Sequence, residues 1–381
     1  MNPFRKSSYR LGIVKGGQLG KMMLQALSDW NVRTAVMDPD PDAPCRTLCD
    51  TFVLGDPLDA EALYRFGRGL DALTLEFENV NVEALERLAK EGVRVCPPPA
   101  ALRIVQDKGL QKLFYAERGI PTSPFALVDG RREASGHTGL YPAFLKKRRS
   151  GYDGRGVMRL EDPAEALSRG FEGPCVLEKA ADYRAEISVI VARTASGQKA
   201  CFPPVELEFH PTKHLVEFLL APARLEEAVL SRARELAERL SDELEIVGLL
   251  AVEMFVMKDG AVWVNEIAPR PHNSGHHTIE ANRTSQFAQH LRAVLDLPLG
   301  PAEALLPAVM VNLLGEEGHE GEARYTGLEE ALALPGVYPH LYGKRYTAPF
   351  RKMGHITITD TDLSRARRVA GLVRDKVRVL A

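Results

Sequence analysis

The strongest constraint on the fold is the alternation with which the chain opens. Leu11-Gly12-Ile13-Val14 is a short apolar run suited to a buried strand, and the glycine turn Gly16-Gly17-Gln18-Leu19-Gly20 follows almost at once. A helical stretch from about Lys21 to Asp29 comes next, then a second apolar run, Arg33 to Met37, ending at Asp38. Asp71 to Glu76 and Glu83 to Lys90 repeat the strand-helix pair. Strands alternating with helices predict a parallel sheet covered on both faces. Ligands of such sheets sit beyond the carboxyl ends of the strands, where Gly16, Asp38 and Glu76 to Asn79 fall.

Cys96-Pro97-Pro98-Pro99 interrupts this rhythm and marks a first boundary. Helical residues Ala100 to Arg118 lead into a strand-rich block, Pro142 to Glu186. Leu225, Val229, Ala233, Leu236, Leu240 and Leu244 recur at helical spacing within Arg224 to Glu245. Two apolar runs follow, Val247 to Met257 and Ala261 to Ile267, joined by Asp259-Gly260, a strong two-residue hairpin signal. From about Pro301 the pattern turns to mixed short strands, with a basic cluster from Lys344 to Lys352.

The formal net charge of -2 offers no global basic excess for nucleic acid or anionic lipid. The five cysteines are scattered, without a Cys-x-x-Cys pair, which predicts a reducing compartment rather than a disulfide framework. The longest greasy run, Ile246 to Met257, is too short for a bilayer, and Met1 to Arg10 lacks the apolar stretch of a secretory signal. A soluble cytoplasmic protein with neither nucleic-acid nor membrane partners is expected.

A two-residue turn at Asp259-Gly260 would pair Lys258 with Ala261 and set Glu253 directly opposite Glu266. Facing carboxylates repel unless a cation lies between them, and a hard divalent ion shared with nucleotide phosphates takes oxygen ligands. The alternative is a pair of solvated glutamates on an exposed face, or a slipped register with Lys258 in the loop. Lys146-Lys147-Arg148-Arg149-Ser150-Gly151-Tyr152-Asp153-Gly154-Arg155-Gly156 combines cations with glycines that turn backbone amides inward. That combination suits a polyphosphate and a mobile lid, and equally a surface hairpin. The glycine turn after Val14 suits a phosphate at a helix N-terminus or tight packing of strand on helix; its spacing departs from the dinucleotide fingerprint. In Arg270-Pro271-His272-Asn273-Ser274-Gly275-His276-His277, the histidines lack a carboxylate or cysteine at zinc-ligand spacing, so a substrate loop is expected.

In this order the segments resemble the ATP-grasp ligases, and within them the 5-(carboxyamino)imidazole ribonucleotide synthetase family, from about Leu11 to Ile358. The most specific matches are Lys15-Gly16-Gly17-Gln18-Leu19-Gly20, Met37-Asp38-Pro39-Asp40 and Leu75-Glu76-Phe77-Glu78-Asn79-Val80. Gly151 to Gly156, Asn265-Glu266-Ile267-Ala268-Pro269-Arg270 and His272-Asn273-Ser274-Gly275-His276 complete them. The resemblance implies a mixed α/β and α+β protein with an ATP-grasp fold. A Rossmann-like parallel-sheet domain would cover 1–98 and the ATP-grasp domain 99–300, with a mobile lid over about 120–185 and a small C-terminal domain over 301–381. It implies ATP and magnesium as cofactors, bicarbonate and aminoimidazole ribonucleotide as substrates, and a homodimer. On the ATP side it points to Arg103, Lys146, Gly151, Tyr152, Asp153, Gly154, Arg155, Gly156, Glu178, Lys179, Ala180, Ala181, Glu186, His210, Asn265 and Glu266. It makes Glu253 and Glu266 the magnesium ligands. Gly16, Gly17, Gln18, Leu19, Glu78, Arg270, His272, Lys344 and Arg351 would meet the ribonucleotide. Lys146, Glu78, Tyr152, Arg155 and Arg270 would act in the chemistry, which runs through carboxyphosphate to ADP and phosphate.

The chain departs from the family at Lys15, Ser150, Val157 and His277, where glycine, glycine, glutamine and tryptophan are usual, and over Glu206 to His214. Other ATP-grasp activities (a formate-using transformylase, a biotin carboxylase) and a non-catalytic ATP sensor are the competing expectations. A dinucleotide-dependent reductase is the outsider, and the glycine spacing speaks against it.

Overall fold

The computed structural model describes residues 3–149, 156–209 and 216–381. The opening alternation folds as β1 (Arg10–Val14), β2 (Arg33–Asp38), β3 (Thr51–Leu54), β4 (Ala72–Leu75) and β5 (Arg94–Cys96). These five strands form one all-parallel sheet in the order β3-β2-β1-β4-β5. The chain runs outward from β1 in both directions, so the crevice for a ligand opens between the ends of β1 and β4. The glycine turn leaves β1 and Glu76 to Glu78 leave β4 at that crevice. Helix Gln18–Leu27 begins three residues earlier than the sequence suggests and buries Leu19, Met22, Met23 and Leu27 on one stripe. Helical residues 100 to 118 are two helices, Pro99–Val105 and Lys108–Glu117, because the Asp107 side chain caps the second by accepting from the Gly109 and Leu110 amides.

A four-stranded antiparallel sheet follows, ordered β6-β9-β7-β8, from β6 (Phe125–Asp129), β7 (Ala143–Lys147), β8 (Val157–Leu160) and β9 (Pro174–Lys179). It has its own small core around Val128, Leu145, Leu160 and Leu177. Beside it lies the largest sheet, built on β10 (Tyr183–Arg193), β11 (Lys199–Cys201), β12 (Val205–Phe209), β13 (Val216–Ala221), β14 (Gly248–Met257) and β15 (Val262–Ala268). Helix Glu227–Glu243 packs its Val229, Ala233 and Leu240 against β10 and β14.

The C-terminal strands are β16 (Ala308–Leu314), β17 (Gly321–Glu322), β18 (Arg324–Thr326), β19 (Val337–Leu341), β20 (Tyr346–Thr347), β21 (Lys352–Thr359) and β22 (Arg378–Leu380). Three of them continue the large sheet, giving the order β15-β14-β10-β12-β13-β16-β21-β19, with β11 pairing β10 off this path. Two short ribbons, β17 with β20 and β18 with β22, lie apart. The C-terminal segment thus carries its own core, around Val311, Ile356, Ala370 and Val379, yet shares one hydrogen-bonded sheet with the strands before it.

His290 ties the first sheet to the large one. Fully buried on helix Gln286–Val294, its Nδ1 accepts from the Leu249 amide (3.2 Å). The ring proton therefore sits on Nε2, 2.7 Å from the Thr74 hydroxyl of β4.

Candidate functional site

At the crevice, Gly16 donates its amide to Asp38 Oδ2 at 2.6 Å. Glu76 is buried and accepts the Gly20 amide at 3.0 Å, at the start of helix Gln18–Leu27. Burial pushes its carboxyl up, and the backbone amides pull it back. A Cβ on Gly17 would lie 2.3 Å from Glu76 Oε1, and one on Gly20 2.9 Å from Oε2. Close packing on a buried acid therefore accounts for those two glycines, and Leu19 points into the core. Lys15 occupies the left-handed region at φ 73°, where a side chain costs about 1–2 kcal/mol relative to glycine's freedom. That conformation is the physical reason glycine suits this position.

The C-terminal segment closes over the same crevice. Lys21 Nζ donates to the Leu341 carbonyl (2.9 Å), and Lys344 is close enough for its charge to act on Glu76. Lys344 Nζ also donates to the Lys352 carbonyl (2.7 Å). Arg351 is exposed, with Nη1 donating to Tyr346 O at 2.8 Å. Glu78, just past β4, receives Arg270 in a fork: Nε to Oε2 at 2.5 Å and Nη2 to Oε1 at 3.2 Å. Burial would raise the Glu78 carboxyl, but the guanidinium outweighs it and holds the group below its ordinary value.

The β14–β15 hairpin departs from the sequence expectation in an instructive way. Met257, not Lys258, pairs with Ala261: its amide donates to Ala261 O at 2.8 Å, leaving a three-residue loop with Gly260 at φ 83°. That slip would have separated the glutamates. A bulge between the Met254–Val264 and Glu253–Glu266 pairs takes up Asn265 as the extra residue and restores the register. Glu253 does face Glu266, with Asn265 inserted beside it. A bulge re-aims side chains that a regular strand would send to opposite faces.

Three lysines and four carboxylates converge there. Lys146 Nζ lies 2.9 Å from Glu178 Oε2 and donates to Asn265 Oδ1 at 3.3 Å. Lys112, almost wholly buried, lies 3.4 Å from Glu178 and donates to the Thr122 hydroxyl at 2.6 Å. Lys108 Nζ sits 2.9 Å from Glu266 Oε2. Glu266 is held far below the usual carboxylate range, chiefly by Lys108 and further by Lys146. Its side chain is still half exposed, so solvent screens that pairing. Glu253 is pushed the other way by burial and by the charges of Glu266 and Glu186. Glu186, buried beside Tyr183, is pushed up to about 7 by burial and then by Glu266. His272 Nε2 stands 3.6 Å from Glu253 Oε1.

Lys146, Glu178, Asn265, Glu266, Glu253 and His272 are thus gathered as the sequence suggests, with Glu186 electrostatically coupled to them. Arg103 is not among them: its guanidinium is held by Glu86 (2.7 and 2.9 Å) and Glu83 (3.2 Å). Sequence reading overlooked Lys108 and Lys112, whose four-residue spacing on one helix puts both amines on a single face. Of the other loop-base cations, Arg148 forks onto Asp107 (2.7 and 2.8 Å), Arg149 reaches the same carboxylate (3.3 Å), and Lys147 lies over the Phe171 ring. Along Glu178 to Ala181, the Lys179 and Ala180 amides already donate to the Pro124 and Pro142 carbonyls. Gly151, Tyr152, Asp153, Gly154 and Arg155, and likewise His210, lie outside the described residues, whereas Gly156 is described and has φ 74°. His276 and His277 are buried rather than presented to a ligand. Among the described residues no cluster of three His, Cys, Asp or Glu side chains is arranged for a metal. The donor set is two carboxylates and an amide oxygen, hard oxygen ligands of the kind magnesium shares with phosphates.

Three family models match in chain order: a ribonucleotide synthetase preATP-grasp domain over residues 9–106, an ATP-grasp domain over 113–287, and a phosphoribosylaminoimidazole carboxylase C-terminal domain over 308–369. The chain is 39% identical to the N5-carboxyaminoimidazole ribonucleotide synthase of Bacillus subtilis, covering 91% of this chain and 90% of that one. The crystal structure of N5-carboxyaminoimidazole ribonucleotide synthetase from Thermotoga maritima superposes with TM-score 0.90 at 40% identity, over 98% and 99% of the two chains. The N5-carboxyaminoimidazole synthase of Aspergillus clavatus, solved with ADP and 5-aminoimidazole ribonucleotide, gives TM-score 0.84 at 31% identity, over 97% and 99%.

Proposed function

The chain belongs to the N5-carboxyaminoimidazole ribonucleotide synthase family, and we propose that it carboxylates 5-aminoimidazole ribonucleotide with ATP and bicarbonate in purine biosynthesis. The observation that carries this reading to the residues is the bulged pairing of Glu253 with Asn265 and Glu266, against Lys146 and Lys108. Glu253 and Glu266 would hold magnesium with the Asn265 oxygen nearby; when bound, it neutralises phosphate charge.

Bicarbonate is a weak nucleophile, so the transfer depends on positioning and on charge stabilisation. Lys146 draws charge from the γ-phosphate as bicarbonate attacks it, giving carboxyphosphate and ADP. Lys108 takes the role of second ATP-side cation that the sequence assigned to Arg103, which would have to leave two carboxylates to reach a nucleotide. Glu186 accepts the ribose hydroxyls, Glu178 to Ala181 border the adenine, and the loop Gly151 to Gly156 closes over the triphosphate; His210 is the remaining nucleotide contact. Carboxyphosphate is short-lived in water, so solvent must be kept out until the exocyclic amine captures the carboxyl group and releases phosphate. Glu78, forked by Arg270, is assigned with Tyr152 and Arg155 to act on bicarbonate and that amine. The backbone of Gly16 to Leu19, with the side chains of His272, Lys344 and Arg351, binds the ribonucleotide, the last two cations at its 5′-phosphate. A homodimer working in the cytoplasm belongs to the same proposal, on the strength of the family.

Phosphate release from ATP, measured with bicarbonate and aminoimidazole ribonucleotide added singly and together, tests the reading. Release that requires the ribonucleotide is expected. Release with bicarbonate alone would move the acceptor elsewhere, and ATP binding with no release under any condition would leave an ATP sensor.

A further inference from the structure

His272 precedes a single 3-10 turn, Asn273–Gly275, whose Gly275 amide donates to the His272 carbonyl (3.0 Å). Beyond that turn, both polar groups of the His272 backbone are engaged by one side chain. Gln286, fully buried at the start of helix Gln286–Val294, accepts the His272 amide through Oε1 (2.9 Å) and donates from Nε2 to the His272 carbonyl (2.8 Å). A side-chain amide thereby stands in for a neighbouring strand, engaging the donor and the acceptor of one residue. Nε2 also lies 3.0 Å from His276 Nδ1. The Gln286 backbone amide donates to the Thr278 hydroxyl (2.8 Å), which donates to the Gly275 carbonyl (2.5 Å). Gly275 is what lets the amide approach: a Cβ there would lie 2.5 Å from Gln286 Oε1. Behind the loop, His276 rests on Phe287 and His355, so the anchor has a rigid backing.

With its backbone fixed, His272 has one place for its ring. The Ser274 amide donates to Nδ1 (3.3 Å), and the Ser274 hydroxyl stands 2.9 Å from the same nitrogen. That hydroxyl lies 2.7 Å from the Ser188 hydroxyl, on the strand position that faces Glu253. The accepting Nδ1 leaves the ring proton on Nε2, directed toward Glu253.

We propose that Gln286 is a positioning residue for the ribonucleotide site: its amide fixes the His272 backbone, and so the direction and tautomer of the imidazole between the acidic pair and the substrate loop. The proposal rests on the assignment of His272 to the ribonucleotide site made above. It concerns a residue that touches neither substrate nor metal and acts only through His272.

Two near-isosteric variants test it. In Gln286→Glu the second oxygen meets the His272 carbonyl and His276 Nδ1, both acceptors, so an ionised carboxylate repels where the amide attracted. Protonation restores a donor at that point. The KM for aminoimidazole ribonucleotide is expected to rise about 10-fold or more over wild type at pH 8, with the KM for ATP within about twofold. The variant-to-wild-type KM ratio should fall back toward one as pH drops to 6. Gln286→Met removes the bonds without adding a charge and should raise the same KM at all pH values. An unchanged ribonucleotide KM in both variants overturns the proposal, as does an equal rise in both KM values together with a lowered Tm, which would mark a merely structural residue. Imidazole nitrogen NMR of substrate-free protein separates this from the functional reading: a change in the His272 tautomer signature in Gln286→Glu is expected even if the wild type turns over another acceptor, and an unchanged signature refutes the positioning role.

Discussion

Lowering the pH from 6 to 5 should destabilise the nucleotide- and metal-free protein steeply, because four histidines are buried in neutral form. His276, His277, His290 and His355 are each at most 4% exposed. Burial pulls His290 down to about 3 and His277 to about 4, and it pulls His276 and His355 well below the ordinary range, helped by their histidine neighbours. In the unfolded chain all four take up protons below about pH 6.5, while the folded chain binds none there. The unfolded state holds more protons, so stability rises with pH and is lost as pH falls through that window. Glu186 and Glu253 act oppositely: raised in the fold, they are protonated there and ionised when unfolded, and they return stability on acidification. His272, likewise pulled down to about 3 by burial, adds a fifth, and five protons against two leave three, or about 4 kcal/mol lost per pH unit between pH 6 and 5. Urea midpoints at pH 7, 6 and 5, followed by circular dichroism, measure this slope. His277→Phe keeps a ring of similar size and should flatten it by one proton, about 1.4 kcal/mol per pH unit. A wild-type slope near zero, or a variant that runs parallel to wild type, would refute the reasoning.

Glu266→Ala should abolish ATP turnover while the far-ultraviolet spectrum stays native, and turnover like that of wild type would sink the magnesium assignment. Lys108→Ala should raise the KM for ATP about tenfold or more, the range for a charge-assisted contact, whereas Arg103→Ala should leave it unchanged; the reverse order would reinstate Arg103. Lys15→Gly should stabilise the protein by about 0.5–1 kcal/mol, the left-handed strain released less glycine's added unfolded-state entropy. A lower melting temperature would show that the Lys15 side chain has a stabilising contact that outweighs its strain.

Periodicity and turn chemistry made much of the fold legible. The parallel sheet follows from apolar runs spaced by helices, and helix Glu227–Glu243 follows from its apolar stripe. The Glu253–Glu266 pairing was read correctly through two errors that cancel: the loop has one residue more than Asp259-Gly260 suggested, and the bulge at Asn265 removes the difference. Bulges carry little sequence signal because they answer to tertiary demands, here the need to aim an amide at Lys146. Arg103 and Lys108 show another limit. Both are cations on neighbouring short helices, and only the fold reveals that one faces Glu83 and Glu86 while the other faces the hairpin. The glycine turn invited a phosphate, yet Gly17 and Gly20 are explained by Glu76, a residue more than fifty positions away whose approach no local pattern announces.

Continuity of the large sheet has a consequence for modularity. Residue 300 looks like a place to cut the chain, since the composition changes there and a separate core follows. Yet β13 pairs with β16 over Phe218 to Ala221, so removing everything beyond that point would lay open a strand edge in the interior of the sheet rather than at its margin. Those four residues are buried and apolar. An exposed apolar edge of that kind templates pairing with further copies. A fragment ending near residue 300 is therefore expected to assemble into insoluble aggregates, and a gene fusion joined at that boundary would work only if the incoming segment brought a strand of its own to close the seam.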